Sequence, residues 1–190
     1  MKRLLFTLLL LFLGSSQAAV EVAGVTFSER EKIGASEGVL NGAGVRNKLF
    51  FTVYAVALYL PEKRTTSAEA LSIKGAKRLH VVTLRDVSAE QLADALVKGI
   101  EHNAVDNELE PLSARVAELR AAMLSLKEVP KGSTIMIDWL PESGTLLLFN
   151  DKPVGKNIAG EDFYRAVLKV WLGEHPAQDN LKDAMLGRPQ

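Results

Sequence analysis

Residues 41–60 read NGAGVRNKLFFTVYAVALYL, and this segment carries the strongest structural signal in the chain. Its second half is a continuous apolar run rich in Val, Phe, Thr and Tyr, which are residue types that strands favour. A run that is apolar on both faces predicts a strand buried on both sides. We expect a glycine-rich turn at residues 41–44, followed by a long buried strand at residues 49–60 that ends before Pro61.

The polar groups of this apolar segment are candidate functional residues. Arg46 stays charged, so its guanidinium must reach water, a carboxylate or an anionic ligand. Tyr54 carries a hydroxyl that needs a partner when it is buried. Together with Tyr164, near the apolar stripe of a later helix, they suit a ligand with an anionic head and a hydrophobic body. The same residues also fit a solvated turn arginine with core tyrosines, or a set of groups that stabilises a developing oxyanion.

Composition excludes several kinds of protein. The 190 residues are 47% hydrophobic and 24% charged with a formal net charge of zero, so no basic excess predicts a nucleic-acid partner. The absence of cysteine excludes disulfides, thiolate metal sites and a lipoprotein anchor. The three histidines lie far apart without metal-ligand spacing. We therefore expect no metal and no cofactor.

The N-terminus has the pattern of a cleavable signal peptide. Two basic residues precede an apolar run at residues 4–13, and Ser16 and Ala18 fit the small-residue cleavage rule. We expect removal of residues 1–18 and a periplasmic mature chain, residues 19–190, that forms one domain. The apolar run is short for a transmembrane helix, and no other segment is long and apolar enough to span a membrane.

Helical periodicity predicts three longer helices, at about residues 88–103, 111–127 and 161–172. The first begins with a capping-box sequence, Ser88 with Gln91. Its apolar stripe, the expected wall of a cleft, consists of Leu92, Leu96, Gly99 and Ile100. Shorter helical segments are expected at 65–73, capped by Thr66 or Ser67, and at 180–186.

Alternating or apolar runs predict the strands, and residues 28–33 are expected to be turn-like. Besides the long strand, the expected segments are 20–27, 35–40, 77–87, 134–140, 145–150 and 154–158. The order of strands, helices, strands and helices predicts an α+β chain with a largely antiparallel sheet.

Three segments together resemble one known family. They read GAGVRNK…VYAVALYLPEK, then VVTLRDVSAEQL, then KGSTIMIDWLPESGTLLLFNDKPVGKNIAGEDFYRAVLKVWLGEHPAQDNLKDAMLG. The chain resembles the chalcone isomerase-like family, in its bacterial exported branch, over nearly the whole mature sequence. The resemblance implies an open-faced β-sandwich, in which a large antiparallel sheet is covered on one face by helices.

The resemblance also gives expectations for the site. Its members include plant chalcone isomerases, fatty-acid-binding proteins and proteins without known activity. Arg46 matches the arginine of the enzymes, whereas Tyr54 stands at their strand threonine. Leu92 and Gly99 fall at the enzymes' helix tyrosine and asparagine, and Tyr164 falls at their late serine or threonine. The anion-holding arginine is therefore kept, while the pair that hydrogen-bonds the ketone is lost.

The preferred hypothesis is a non-catalytic binder of a fatty acid or a similar hydrophobic carboxylate. The fatty-acid-binding members hold the carboxylate with an arginine and a tyrosine, and Arg46 with Tyr54 looks like that arrangement. Tyr164 is expected to line the cleft, and the stripe on the helix at 88–103 is expected to supply its apolar wall.

Two alternatives stay open at this point. The first is an intramolecular lyase that isomerises a chalcone-like enone, with catalytic residues not assigned. His102, Asn103 or Arg85 would then replace the missing polar groups. The second is a structural or interaction protein with a vestigial cleft.

Overall fold

The computed structural model describes residues 19–105 and 107–188, so the expected signal peptide at residues 1–18 lies outside the described residues. The strands are β1 (Ala19–Val22), β2 (Val25–Ser28), β3 (Arg30–Ile33), β4 (Ser36–Lys48), β5 (Phe51–Leu60), β6 (Lys77–Thr83), β7 (Val87–Ser88), β8 (Glu128–Val129), β9 (Thr134–Leu140), β10 (Gly144–Phe149) and β11 (Lys152–Ile158). The helices are α1 (Ser67–Ser72), α2 (Ala89–Asn103), α3 (Leu109–Leu124), α4 (Glu161–Leu172) and α5 (Asp179–Met185).

A seven-stranded sheet organises the chain. Its strand order is β11-β10-β9-β6-β5-β4-β3, and every neighbouring pair is antiparallel. β1 and β2 form a separate hairpin, and β7 pairs with β8. The α+β prediction with a large antiparallel sheet is confirmed.

Alternation along β5 separates the two faces of the sheet. Tyr54, Val56 and Leu58 belong to the larger core, which contains buried residues of α2, α3 and α4. Ala55 and Tyr59 belong to a smaller cluster on the opposite face, together with residues of β2, β3 and β4. The long strand is therefore buried on both faces, and the helices cover one of them.

A buried polar network lies on the face opposite the helices. Arg78 donates to both carboxylate oxygens of Asp138, from Nε at 2.7 Å and from Nη2 at 2.6 Å. Its Nη1 donates to Glu31 at 2.8 Å, and the other oxygen of Glu31 lies 3.0 Å from His80 Nδ1. β3 and β6 are three strand positions apart, about 14 Å in a flat sheet. This contact therefore shows that the sheet curls around the network.

The glycine-rich stretch is part of a strand, so the turn expected at residues 41–44 is wrong. β4 runs through it, because the glycines allow α5 to pack directly on the strand. A Cβ on Gly42 would lie 2.2 Å from the carbonyl oxygen of Ala184, and one on Gly44 would lie 2.8 Å from the Cβ of the same alanine. Leu49 and Phe50 form the actual turn between β4 and β5.

Smaller differences concern the N-terminal segments. Residues 20–27 form the hairpin of β1 and β2 rather than one strand, since Ala23 and Gly24 adopt positive φ angles of 51° and 78°. Residues 30–33 form β3 on the edge of the large sheet rather than a turn.

The helix predictions are closer to the structure. The capping box of α2 is present: Ser88 Oγ accepts from the Gln91 amide at 3.1 Å. Thr66 caps α1, and the bounds of α4 are those predicted. Among the helices of the described segments, none combines the length and the apolar character that a membrane crossing requires.

Candidate ligand-binding cavity

A cavity of about 810 Å³ lies between the helix-covered face of the sheet and α2. Its volume is within the range of small-molecule sites. The buried part of its wall is mainly apolar and comprises Tyr54, Val81, Leu96, Met123, Ile135, Ile137, Val170 and Trp171. The exposed part, which we call the rim, includes Lys48, Leu49, Phe51, Arg85, Asp86, Gln91, Ala95, Lys98, His102 and His175.

Arg46 and Tyr54 are brought together by strand register. The ladder of β4 and β5 pairs Arg46 directly with Tyr54, and both residues line the cavity. Directly opposed residues share a face and have Cβ atoms about 5 Å apart. A register shift follows between Arg46 and Asn47, and such bulges often occur beside functional sites.

The hydrogen bonds of the Tyr54 hydroxyl determine what it can offer to a ligand. Its oxygen accepts the indole N–H of Trp171 at 3.0 Å. Among the described residues no acceptor is found for the Tyr54 O–H itself. Burial raises the pKa of the Tyr54 hydroxyl, against smaller lowering effects of the Trp171 hydrogen bond and the Arg46 charge. Tyr54 therefore remains a neutral hydrogen-bond donor.

Arg46 is half-buried, and its hydrogen-bond partners among the described residues are uncharged. Its guanidinium donates to the Asn47 carbonyl and to Gln178 Oε1, the latter at 3.2 Å. Gln178 also accepts from the Asn47 amide at 2.8 Å, so it orders the arginine without neutralising it. No carboxylate of residues 19–105 or 107–188 forms an ion pair with Arg46.

Further basic residues surround the opening. Lys48, Arg85 and Lys98 lie on the rim, and within the described chain none of them forms an ion pair. The guanidinium carbon of Arg85 lies 4.6 Å from the centroid of the Phe51 ring.

Two acidic residues also line the cavity, Asp86 on the rim and the half-buried Asp94. Asp94 accepts from Arg120 of α3 at 2.9 Å, and Asp86 accepts from the Lys131 amide at 2.8 Å. On the rim the three basic residues Lys48, Arg85 and Lys98 outnumber the acidic Asp86, and this excess of positive charge favours anionic ligands.

Three of the four residues predicted to form the cleft wall line the cavity, namely Leu92, Leu96 and Gly99. Ile100 does not, because its side chain turns into the core, where it is 1% exposed. A Cβ on Gly99 would lie 2.6 Å from Val170, so the glycine lets α2 approach α4 closely.

Tyr164 lies outside the cavity, contrary to the expectation that it lines the cleft. It is fully buried, and its hydroxyl donates to the Ile137 carbonyl at 3.1 Å. Its ring packs beside Trp139, with centroids 6.1 Å apart. Tyr164 therefore attaches α4 to β9.

The three polar residues considered for the isomerase alternative lie in two different places. His102 and Arg85 lie on the rim. Asn103 instead donates to the carbonyls of Gly99 and His175, at 2.9 and 2.8 Å, and accepts from the His175 amide at 2.9 Å. Its amide group thus holds the chain after α4.

Sequence reasoning missed two residues of the site. The apolar pattern of the helix at 161–172 does not set Trp171 apart from core residues, although a buried indole N–H usually needs an acceptor and therefore indicates a polar neighbour. Gln178 carries no sequence signal for its contact with Arg46. Across the residues that the structure describes, no group of three His, Asp or Glu side chains is arranged to hold a metal ion.

Comparisons with known proteins identify the family. The sequence profile described as chalcone isomerase-like matches residues 19–187. None of the curated proteins compared matches the sequence significantly. A solved structure of an Arabidopsis thaliana fatty-acid binding protein superposes with a TM-score of 0.63 at 17% identity, covering 89% of this chain and 96% of that chain. That likeness shows a shared fold, and the profile match extends over most of the sequence. The chain belongs to the chalcone isomerase-like family.

Proposed function

We propose that this protein binds a fatty acid or a similar hydrophobic carboxylate in the cavity without transforming it. One observation carries the proposal. Among the described residues, an arginine without a carboxylate partner and a phenol without an acceptor for its proton lie side by side on the wall of a mainly apolar cavity.

The two ends of such a ligand have separate roles. Its carboxylate accepts from the Arg46 guanidinium and the Tyr54 hydroxyl, and each hydrogen bond to a charged group contributes about 1.5–3 kcal/mol. Each methylene that leaves water contributes about 0.8 kcal/mol, so ten of them contribute about 8 kcal/mol. The tail therefore supplies most of the affinity, and the arginine and tyrosine set orientation and head-group selectivity.

The structural neighbour supports this ligand class. The Arabidopsis protein is described as a fatty-acid binding protein and shares the fold. Because the identity is 17%, its ligand is carried to this chain only as part of the proposal.

The isomerase alternative has less support. Leu92 and Gly99 fall at the positions where the resemblance puts the enzymes' tyrosine and asparagine, and both form apolar cavity wall. The remaining polar candidates, His102 and Arg85, are exposed on the rim. A developing oxyanion is best stabilised by donors in a water-excluded site.

We include export to the periplasm in the proposal. It rests on the signal-peptide pattern of residues 1–18. The family profile begins at residue 19, which agrees with the expected cleavage position. Fractionation of the producing cells, with the mass of the mature chain, tests this part.

The binding test uses the purified chain from residue 19 onward. Native mass spectrometry before and after organic extraction shows whether a lipid accompanies the protein. Titration of the extracted protein with the fluorescent fatty acid cis-parinaric acid then gives the affinity.

We expect saturable uptake of one probe per chain and displacement by palmitic acid. Absence of any uptake would refute the proposal. Cyclisation of a chalcone above the background rate would contradict its non-catalytic part.

A further inference from the structure

The tip of the β4–β5 hairpin exposes large apolar side chains. Leu49 and Phe50 form the two-residue turn, and Lys48 pairs with Phe51 across it. The exposed fractions are 86% for Leu49, 98% for Phe50 and 56% for Phe51. We call these four residues the hairpin tip. Adjacent exposed apolar side chains of this size indicate a contact surface rather than ordinary surface composition.

The turn itself does not require these residue types. Leu49 has a φ of 55°, and the first central position of such a turn is usually glycine, asparagine or aspartate. A leucine at this position strains the backbone. Its side chain is exposed, so packing does not offset that strain. Strain of this kind is typically kept where the side chain serves a function.

The basic residues around the hairpin tip indicate a negatively charged partner. Lys48 belongs to the tip, Arg85 lies over the Phe51 ring, and Arg46 and Lys98 lie further along the cavity wall. Their charges are not cancelled by ion pairs within the described residues. This arrangement fits the surface of an anionic lipid bilayer. The apolar side chains would contact the acyl chains, and the flanking basic residues would contact the anionic head groups.

We propose that the hairpin tip inserts into the head-group region of an anionic phospholipid bilayer. Leu49 and Phe51 also line the cavity, so insertion places the opening against the membrane surface. A hydrophobic carboxylate then passes between the bilayer and the cavity without crossing bulk water. Membrane docking does not depend on the proposed function. The role of the membrane as the source or destination of the ligand does rest on the proposed function.

The test is sedimentation of the chain from residue 19 with vesicles in the absence of fatty acid. One set of vesicles is phosphatidylcholine alone, and the other is phosphatidylcholine with an equal part of phosphatidylglycerol. We expect binding to the second set, weakened by salt because exposed charges are screened. Each basic residue near the surface contributes about fivefold to binding.

The informative variant is Phe50→Ser. Phe50 is almost fully exposed and does not line the cavity, so the fold and the fatty-acid affinity should stay unchanged. Loss of one inserted aromatic side chain is expected to weaken vesicle binding about tenfold. Val105→Ser, which removes a 63% exposed side chain beyond α2, is the matched control and should bind vesicles like the wild type.

Two results would overturn the docking proposal: no binding to phosphatidylglycerol vesicles, or wild-type binding by Phe50→Ser. Self-association that Phe50→Ser abolishes, without vesicle binding, would assign the tip to a protein contact instead. Vesicle binding without any fatty-acid uptake would leave docking in place and refute the proposed ligand. The two failures are therefore distinguishable.

Discussion

The indole N–H of Trp171 donates to the hydroxyl oxygen of Tyr54 at 3.0 Å, and this bond joins α4 to β5 inside the cavity wall. It fixes the Tyr54 ring and occupies a lone pair of its oxygen. The tyrosine proton is therefore left for a ligand. A contact that stabilises the fold thus also prepares the group that we assign to carboxylate binding.

Replacing Tyr54 with phenylalanine should affect both stability and binding. The variant leaves the buried Trp171 N–H without its acceptor, which costs about 1–3 kcal/mol of unfolding free energy. It also removes one hydrogen bond to the carboxylate, so fatty-acid affinity should fall about tenfold. Urea unfolding and probe titration measure the two effects.

Trp171→Phe is the matched control for this prediction. It removes the same 3.0 Å hydrogen bond but keeps the Tyr54 hydroxyl, so it should lose less affinity than Tyr54→Phe. Equal losses from the two variants would mean that the tyrosine proton does not reach the ligand.

A bulky residue on the rim should block the entry of a fatty acid without destabilising the fold. Ala95 is exposed on α2 and lines the cavity, so Ala95→Trp should lower fatty-acid uptake at least about tenfold at unchanged unfolding free energy. Ala114→Trp on the exposed surface of α3 is the control. Undiminished uptake in the Ala95 variant would show that the ligand binds elsewhere.

The glycines of β4 should be essential for α5. A Cβ on Gly42 would lie 2.2 Å from the Ala184 carbonyl oxygen and 2.8 Å from the Gly187 amide nitrogen, so backbone must move. Gly42→Ala should reduce the unfolding free energy by about 3 kcal/mol.

The control for this substitution is Gly24→Ala. Gly24 has open space around its Cβ position and a φ of 78°, so only the backbone strain of about 1 kcal/mol is expected. Similar denaturation curves for the two variants would contradict the close approach of α5.

Acid should destabilise the protein through Glu31. Burial tends to raise the pKa of Glu31, but hydrogen bonds with His80 and Arg78 outweigh it and lower the pKa from 4.5 to about 2. A lowered pKa in the folded state gives stability that is present above pH 4.5 and is lost as the pH falls to about 2.

The contribution is on the order of 3 kcal/mol, and Glu31→Gln removes it. The difference in unfolding free energy between wild type and variant should therefore shrink as the pH falls from 4.5 to about 2. A constant difference across that interval would show that the network does not stabilise the ionised carboxylate.

The elements with strong local signals were predictable. The capping box of Ser88 and Gln91 placed α2, and helical periodicity placed α4 with its observed bounds. The family resemblance predicted the sheet and its helical layer, and the profile match confirms the family. These features depend on contacts between residues close in sequence or on a pattern spread over the whole chain.

Features that depend on distant contacts were not predictable. The sequence predicts a turn at Gly42 and Gly44. The structure has glycine at these positions because α5, which lies far along the chain, packs closely against them. The pairing of Arg46 with Tyr54 depends on strand register, which the sequence leaves open. Tyr164 lies on the side of α4 that faces Ile137, a fact of packing rather than of composition.

The central claim is that Arg46 holds the carboxylate. The most direct measurement compares the affinities of Arg46→Ala and the wild type for palmitic acid and for hexadecanol, which has the same tail without a charge. We expect the variant to lose about 10- to 100-fold in affinity for the acid and little for the alcohol, because a charge-assisted hydrogen bond contributes about 1.5–3 kcal/mol. Arg30→Ala, which removes an exposed arginine on β3, should bind both like the wild type. Equal losses for acid and alcohol, or unchanged affinity for the acid, would contradict the claim.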